Sequence, residues 1–476
     1  MDKEKRERLQ SLRVIISETI MVVTVAITVL ILAFVVSGYW LSPDFKVERQ
    51  GMLQISSLPT GADVDVDGES SWMQRTNTSK ILSSGEHTVV LTKEGYDSWT
   101  KKVEIKEGLL YRLHYPRLFL TERTKEELYD VTSTKYATVS PNHNYLLLIN
   151  DTTKWSLINL DSNEIKPQTL DISGLFIDSA DPSATPVVEI LSTNWDFANE
   201  HVLIKTSLGG VTEWALLNTR NVTESINLNR ELATTFDDVR IFDNSSSTLL
   251  ALRNGELYRI DVPGRQISTM IAKNVMGFDF ANQEIVFVAK KDLAKKENVD
   301  EAVEAEPAKE FFIASTKNTD SAFEEIMSLD ASATPAIIRF YDEEYLAILS
   351  GNEINLYNKQ SNEKVFSKTL DFTPDSMKVG FGGDFVVMTS GENIATLDME
   401  AMQIVSWSTE TPRYGWLDSS MIYAVKDGEL IVYDYDGLNR RPLSHNVSSH
   451  FPVTITANKW LYYFSDNQLM RERIVK

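Results

Sequence analysis

The hydrophobic pattern of the chain divides into three parts that differ in their period. Residues 14–40 are almost continuously apolar, residues 46–115 contain short alternating runs, and residues 116–476 repeat paired apolar runs joined by glycine-containing turns. An apolar run of about 20 residues is typical of a membrane-spanning helix, whereas short alternating runs are typical of half-buried strands. The pattern predicts a mainly β chain with a single N-terminal transmembrane helix.

Charge sets the expected orientation of that helix. Val14–Trp40 contains one charged residue, Glu18, near its start. Residues 1–13 hold five Lys or Arg side chains, and the ten residues after the run hold two, Lys46 and Arg49. The positive-inside rule therefore predicts a cytoplasmic tail (1–13), a transmembrane helix (14–40) and a C-terminal bulk outside the cell membrane. A cleaved signal peptide is the alternative, but its apolar stretch is usually shorter, about 7–15 residues.

Residues 46–115 contain four strand-like runs with turn residues between them. These runs are Met52–Ser56, Asp63–Asp67, His87–Leu91 and Trp99–Ile105. Alternation at this length predicts a small all-β domain with little room for an internal ligand cavity. The carboxylates of Asp63, Asp65 and Asp67 would be suitable ligands for calcium. Their alternation with valines favours instead a solvated strand face.

Three blocks in this part follow one another in a recognisable order: Pro59–Gly68, Ser84–Val89 and Lys93–Tyr96. They resemble the PEGA domain family, whose pattern is P-x-G-A-x-V-x-[IV]-D-G, then [PS]-G-x-H-x-[IV], then K-x-G-Y. Thr60 replaces the family's Glu, and a stretch containing Trp72–Asn77 replaces its G-x-T-P. The resemblance implies a bacterial or archaeal envelope protein and implies no activity. The matching residues, which we expect to be structural, are Pro59, Gly61, Ala62, Val64, Asp67, Gly68, Gly85, His87, Lys93, Gly95 and Tyr96.

The third part repeats a unit of strand, turn, strand, tight turn and strand. Its clearest tight turns are Asn254-Gly255, Gly351-Asn352, Gly391-Glu392 and Asp427-Gly428, each between two apolar runs. Glycine and asparagine accept the positive φ that two-residue hairpins require. We place the unit starts near Ala137, Val187, Phe236, Met276, Ala333, Ser376, Pro412 and Phe451.

Spacings of about 40–50 residues are typical of four-stranded propeller blades. We therefore predict a β-propeller over residues 116–476 with eight blades, or seven as the alternative. Because the last unit offers three strands, residues 111–120 are expected to supply its fourth. Ser140–Leu148 resembles the S-P-D-G-x-x-L signature of TolB-like repeats, with Asn142-His143 in place of Asp-Gly. The charged stretch 290–310 is expected to be a loop insertion between two blade strands.

Composition narrows the function. The net charge of -21 argues against nucleic acid as a partner, and the absence of cysteine excludes disulfides and thiolate sites. The adjacent pairs Asp237-Asp238 and Glu343-Glu344 would point to opposite strand faces, and His445 and His450 lack placed partners for a metal. No catalytic, cofactor-binding or metal-binding residue is assigned from these patterns.

The tryptophans of the repeat region would suit either carbohydrate stacking or packing between blades, and we expect packing. The preferred hypothesis is a single-pass membrane-anchored extracytoplasmic envelope protein that acts as a non-enzymatic binding or scaffold module. Its expected ligand is a protein or a cell-wall glycan. The alternatives are an extracellular propeller hydrolase or lyase acting on envelope polysaccharide, and a transmembrane sensor subunit.

Overall fold

The computed structural model describes residues 3–36, 39–41, 47–162, 164–176, 189–208, 210–291, 310–317, 323–380 and 383–476. Two compact units divide the chain, Met1–Glu122 and Arg123–Lys476. The second unit begins seven residues later than residue 116, where the repeat region was expected to begin. The reason is that Arg117 and Leu120 form bridges with Leu58 and Tyr96 of the first unit.

One long helix opens the first unit. Helix α1 spans Lys3–Val36, and its segment Ile16–Ala33 has a mean hydropathy of 2.3 with none of it buried. At about 1.5 Å per residue these 18 residues extend about 27 Å, close to the thickness of a bilayer's hydrocarbon core. The helix therefore has the length and composition of a signal anchor or a membrane span.

Eight strands follow in the first unit. They are β1 (Tyr39–Leu41), β2 (Val47–Ile55), β3 (Asp63–Val66), β4 (Glu69–Arg75), β5 (Thr78–Ser83), β6 (Gly85–Thr92), β7 (Trp99–Ile105) and β8 (Leu110–Leu113). One sheet has the order β1-β2-β5 with β8 also on β2, and the other has the order β4-β3-β6-β7. A single buried cluster holds residues of both sheets, including Leu53, Val64, Leu91 and Trp99. We call residues 47–122 the small domain.

Residues 111–120 do not supply a strand to the second unit, so that prediction was wrong. Strand β8 pairs in parallel with β2, Arg117 bridges Leu58, and Leu120 bridges Tyr96. Leu118 and Phe119 are fully buried. The apolar side chains of this segment are needed in the core of the small domain, which keeps the segment there.

The described residues of the second unit form eight four-stranded antiparallel sheets, here called sheets 1 to 8. Sheet 1 is β10 (Tyr136–Val139), β11 (Tyr145–Ile149), β12 (Lys154–Asn159) and β13 (Pro167–Asp171); sheet 2 is β14 (Glu189–Trp195), β15 (His201–Leu208), β16 (Val211–Asn218) and β17 (Ile226–Asn227). Sheet 3 is β18 (Asp238–Ile241), β19 (Thr248–Arg253), β20 (Glu256–Asp261) and β21 (Gln266–Ile267); sheet 4 is β22 (Val275–Ala281), β23 (Glu284–Lys290), β24 (Phe311–Thr316) and β25 (Glu324–Leu329).

Sheets 5 to 8 continue the same order. Sheet 5 is β26 (Thr334–Phe340), β27 (Glu343–Ser350), β28 (Glu353–Asn358) and β29 (Lys364–Thr369); sheet 6 is β30 (Ser376–Val379), β31 (Phe385–Ser390), β32 (Asn393–Asp398) and β33 (Gln403–Ser408). Sheet 7 is β34 (Tyr414–Trp416), β35 (Met421–Lys426), β36 (Glu429–Asp434) and β37 (Arg441–Ser444); sheet 8 is β38 (Thr454–Thr456), β39 (Trp460–Ser465), β40 (Gln468–Arg473) and β9 (Lys125–Asp130). A short helix, α2 (Leu228–Glu231), and two 3-10 turns, Val222–Glu224 and Phe242–Asn244, lie in connections.

The sheet boundaries agree with the expected unit starts. Each first strand begins within three residues of a predicted start, and Val187 itself lies outside the described residues. The pairs Arg253 with Glu256 and Lys426 with Glu429 leave two-residue turns between them, as predicted. Asn254 and Asp427 have φ values of 53° and 51° there, the left-handed conformation that such hairpins need. Lys290 pairs with Phe311, so the charged insertion does connect two strands of sheet 4, while 292–309 lies outside the described residues.

Consecutive sheets pack face to face. Buried clusters join sheets 1 and 2, 2 and 3, 3 and 4, 4 and 5, 5 and 6, and 6 and 7. Sheets 7 and 8 are joined by the hydrogen bond from Ser444 Oγ to Tyr463 Oη at 2.9 Å. A further cluster packs Tyr462 and Phe464 of sheet 8 against Leu146 and Ile158 of sheet 1. Each sheet therefore contacts the next, and the eighth contacts the first.

A buried ion pair holds the strand that completes sheet 8. Arg123 Nε lies 2.6 Å from Glu472 Oε1, and the side chains are 15% and 1% exposed. Arg123 also donates to the carbonyl of Leu443, and the hydroxyl of Tyr463 lies 3.3 Å from the other Glu472 oxygen. These contacts attach β9 and β40 to sheet 7.

Replacing Glu472 with Ala should destabilise the second unit by about 3 kcal/mol, because the Arg123 guanidinium would stay buried without its partner. The measurement is the urea midpoint of the detergent-solubilised chain, followed by tryptophan fluorescence. Glu164→Ala is the control, since it removes an exposed pair with Lys166 and should cost no more than about 1 kcal/mol. Equal losses of stability in the two variants would contradict the role of the Arg123–Glu472 pair in joining sheets 7 and 8.

Candidate functional site

The three blocks of the small domain meet through hydrogen bonds. His87 Nδ1 lies 2.6 Å from Asp67 Oδ2, and His87 Nε2 lies 2.8 Å from the carbonyl oxygen of Ser83. Both ring nitrogens of His87 therefore have a partner. The first block is thus bound to the second by an almost fully buried imidazole.

Lys93 binds the third block to the first. Its Nζ donates to the carbonyls of Thr60 and Gly61 at 3.0 and 3.2 Å. Gly61 and Gly95 have φ values of 76° and 79°, where a side chain would be strained. These positions shape turns.

Thr76 has a role in this turn that the sequence analysis missed. Its hydroxyl oxygen accepts from the N–H groups of Gly61 and Ala62 at 2.9 and 3.1 Å, and Ser57 Oγ lies 2.8 Å away. Thr76 belongs to the stretch that replaces the expected G-x-T-P. The threonine of that pattern, retained just before Asn77, was the available signal.

The three alternating aspartates have separate partners. Asp63 pairs with Arg75 at 3.3 Å, Asp65 accepts from the N–H of Gly68 at 2.8 Å, and Asp67 holds His87. Within the described ranges no group of three His, Asp or Glu side chains could hold a metal ion. The partners of these carboxylates therefore give no support to a calcium site.

Lowering the pH should destabilise the small domain through protonation of Asp67. The Thr88 N–H and the His87 ring hold the pKa of Asp67 below its usual value. A carboxyl whose pKa is lower in the folded state than in the unfolded state stabilises the fold at pH values above the unfolded-state pKa of about 3.9. This stabilisation is lost as the pH falls through the folded-state pKa. We expect Asp67→Asn to flatten the dependence of stability on pH between about 2 and 5, measured by circular dichroism during denaturation. Asp63→Asn, at an exposed position, should keep the wild-type slope, and a lost slope there would contradict the assignment.

The second unit has an acidic groove of about 500 Å³ between sheets 4 and 5. Its lining residues come from the ends of β24 and β28 and the starts of β23, β25 and β27, so the groove lies at one end of the two sheets. The charged residues that line it are Glu284, Lys317, Glu324, Glu325, Asp342, Glu343, Glu344 and Lys359. Six carboxylates face two ammonium groups, which makes the groove a cation-attracting surface.

Lys359 forms the polar base of this acidic groove. Its Nζ lies 2.7 Å from Glu284 Oε2 and 3.3 Å from Glu344 Oε2. The side chains of Lys359 and Glu284 are 14% and 9% exposed. The Asn282 amide, together with the Lys359 ammonium, holds the pKa of Glu344 below its usual value. Sheets 4 and 5 are therefore linked by ionised groups beneath the rim.

The adjacent Glu343 turns to other partners. It accepts from Tyr345 Oη at 2.5 Å and from Asn358 Nδ2 at 3.2 Å. Burial and the bond to Glu343 together raise the pKa of Tyr345 to about 12, so the phenol stays a neutral donor. Glu343 and Glu344 thus take different partners, although both line the acidic groove. Glu324 and Asp342 remain exposed at the rim.

The first strands of sheets 3, 4 and 5 carry the other candidate chemistry. Arg240 donates to Asp238 at 2.9 Å and to the carbonyl of Phe278 at 2.7 Å. Asp279 accepts from the N–H of Ile337 at 2.8 Å, and burial raises its pKa. The bond from Arg240 to Phe278 and the bond from Ile337 to Asp279 join neighbouring sheets. The side chains of Arg240 and Asp279 are therefore engaged in linking strands.

The tryptophans divide between buried and half-buried positions. Trp155, Trp195 and Trp214 are at most 7% exposed, and they belong to clusters between neighbouring sheets. Trp407 and Trp460 are half-buried, and the Trp407 indole donates to the carbonyl of Tyr435 at 3.1 Å. Packing between sheets accounts for the first three, as expected.

Comparison with known families identifies the small domain. Residues 50–116 match the PEGA domain. The match confirms the resemblance carried by the three blocks and covers most of the small domain. No curated protein matches the chain in sequence.

Among solved structures, the computationally designed Ika8 protein has a TM-score of 0.43 at 10% identity and covers 73% of this chain and 98% of its own. PorZ, a surface component of the type-IX secretion system of Porphyromonas gingivalis, has a TM-score of 0.39 at 12% identity, over 71% of this chain and 42% of its own. An oligogalacturonate lyase in complex with manganese has a TM-score of 0.39 at 11% identity, over 62% of this chain and 95% of its own. At this level the likenesses carry no information on function.

Proposed function

We propose that this chain is a single-pass membrane protein of the cell envelope that acts as a non-enzymatic binding scaffold. The exposed apolar helix α1 directly precedes a PEGA domain, and the five-to-two excess of Lys and Arg before the helix favours a cytoplasmic N-terminus. In this arrangement α1 is a permanent anchor, and the PEGA domain and the second unit lie outside the membrane.

The second unit is a closed propeller of eight blades in this proposal. Two observations support it: each sheet contacts its successor, and sheet 8 combines β38–β40 with β9 and packs on sheet 1. Closing a sheet array with strands from both ends of the unit removes the uncovered faces of its first and last sheets. A TolB-like ancestry remains a prediction from Ser140–Leu148.

The acidic groove is the binding site that we favour. Its carboxylate rim carries the proposal, since Glu324 and Asp342 are exposed while Lys359 is committed to Glu284 and Glu344 below them. The complementary ligand is a protein segment rich in Lys or Arg. A cell-wall glycan is the second ligand class, through its amino groups.

The hydrolase or lyase alternative depends on Asp279. Its raised pKa is the property of a general acid, and Arg240 lies near it. Its hydrogen bond from Ile337 argues for a structural role instead. Turnover of any envelope polysaccharide by the full chain, lost in Asp279→Asn, would replace the scaffold proposal with an enzymatic one.

The groove is tested by the binding of a fluorescent lysine-rich peptide to the detergent-solubilised chain. Neutralising the rim in Glu324→Gln/Asp342→Asn should weaken binding about tenfold, since two exposed charge contacts together contribute roughly 1.4 kcal/mol. Asp161→Asn/Glu164→Gln is the matched control, because it removes the same charge from an exposed turn of sheet 1. Equal weakening by both variants would show binding to the overall negative charge and would exclude the groove.

A further inference from the structure

The fourth strand of each sheet forms an outer edge of the second unit. The first strands of neighbouring sheets contact one another, as β22 contacts β26 and β26 contacts β30. The fourth strands lie at the opposite edge of their sheets. Unpaired backbone groups on such an edge can bind a further strand, and proteins commonly block them with charged residues, with proline or by keeping the strand short.

Seven of the eight fourth strands that the structure describes have a block of this kind. Strands β17 and β21 have two residues each. Strands β9, β13, β25, β29 and β37 contain charged residues, and β13 and β37 also contain proline. Strand β33 has none of these features, since its six residues, Gln403–Ser408, read QIVSWS. Among these eight strands, β33 is therefore the long edge without charge.

The backbone of β33 presents hydrogen-bonding groups away from its own sheet. Just after the strand, Thr409 N donates to the carbonyl of Glu392 at 3.0 Å, so this N–H points toward β32. Backbone groups alternate in direction along an antiparallel strand, so those of Ile404, Ser406 and Ser408 point away from β32. Within the described residues, no backbone group on another strand or loop bonds to the outward N–H and carbonyl groups of these three.

The side chains of β33 hold the strand in place and leave its edge open. The Trp407 indole donates to the carbonyl of Tyr435 in sheet 7, and its ring centroid lies 5.1 Å from that of Tyr433. Ile404 packs against the buried cluster shared by sheets 5 and 6. Ser406, in the middle of the outward row, is exposed. The edge is therefore a fixed and accessible template for one more strand.

We propose that β33 pairs with β33 of a second copy of this chain, antiparallel and centred on Ser406. In this register Ser406 faces its counterpart, and Ile404 faces Ser408 of the other copy. The outward groups of the two strands then form about six backbone hydrogen bonds, two for each facing pair. Val405 lies opposite Trp407 of the other copy, a combination of β-branched and aromatic side chains that stabilises strand pairs. This inference goes beyond the proposed function and does not depend on it.

Charge favours a second copy as the occupant of this edge. The chain has a net charge of -21, so two copies repel each other where their charged surfaces meet. Strand β33 brings no charge to the contact from either copy. A strongly charged partner strand would gain more at an edge such as β29, which carries Lys364 and Lys368. The uncharged edge therefore suits an uncharged strand, and β33 itself is one.

A cysteine cross-link tests the register, because the chain has no cysteine of its own. Facing residues of a hydrogen-bonded pair have Cα atoms about 5.5 Å apart, a separation that a disulfide can span. Ser406→Cys in the full, detergent-solubilised chain should therefore form a covalent dimer under mild oxidation. The measurement is the fraction of dimer on a non-reducing gel.

The matched control for the cross-link is Ser367→Cys in β29. Ser367 is also an exposed serine on a fourth strand. Its backbone points outward as well, since Leu370 N donates to the carbonyl of Asn352 and the direction alternates along the strand. We expect about fivefold more covalent dimer with cysteine at position 406 than at position 367.

Ser406→Lys tests whether this contact stabilises the dimer. The substitution would place two ammonium groups opposite each other, and like charges directly opposite destabilise a strand pair. The dimerisation constant of the full chain in detergent, measured by analytical ultracentrifugation, should weaken about fivefold. Ser367→Lys adds the same charge to β29 and should leave the constant unchanged. Circular dichroism of both variants checks that the fold is retained.

Three results would overturn the proposal. A chain that stays monomeric at about 0.1 mM in detergent would exclude self-pairing and leave β33 to a strand of another protein. A dimer whose constant is unchanged by Ser406→Lys would be held by another surface, such as helix α1. Equal cross-linking at positions 406 and 367 would show random collision between chains.

Discussion

Each sheet of the second unit has apolar side chains on both faces, so its stability depends on a neighbour at either side. In β11, Leu147 joins the cluster shared with sheet 2, while Leu146 and Leu148 join the cluster shared with sheet 8. In β23, Phe287 packs toward sheet 3 and Val286 toward sheet 5. A single sheet of this kind would expose one apolar face to water, which makes the array cooperative and gives its two ends the greatest need for cover.

The repeated strands of the second unit could be predicted from the sequence because the residues that specify them are close together in the chain. Asn254-Gly255 and Asp427-Gly428 require positive φ values that few other residue pairs accept, and the flanking apolar runs fix the strands. The strand that completes sheet 8 could not be predicted from the sequence. Residues 111–120 are more apolar than β9, whose sequence is KEELYD, yet the buried pair of Arg123 with Glu472 selects β9 across more than three hundred residues. No periodicity indicates a contact of that separation.

The candidate sites also differ in how far they could be predicted from the sequence. The motif blocks of the small domain were visible in the sequence, whereas the turn held by Thr76 was missed. The acidic groove could not be found from sequence, because Glu284 and Lys359 belong to different sheets and meet through register alone. Adjacent carboxylates such as Glu343 and Glu344 were conspicuous in the sequence, but their partners, Tyr345 and Asn282, follow from the fold.

The composition of sheet 8 has a consequence for how the protein is made. Strand β9 is the first strand of the second unit to be synthesised, and its partner β40 is the last. Because synthesis begins at the N-terminus, β9 must remain unpaired while seven sheets follow it. Its composition suits that delay, since four of its six residues are charged, Lys125, Glu126, Glu127 and Asp130, and such a strand resists pairing with the wrong edge. The order of synthesis thus favours a polar strand for the position that completes sheet 8.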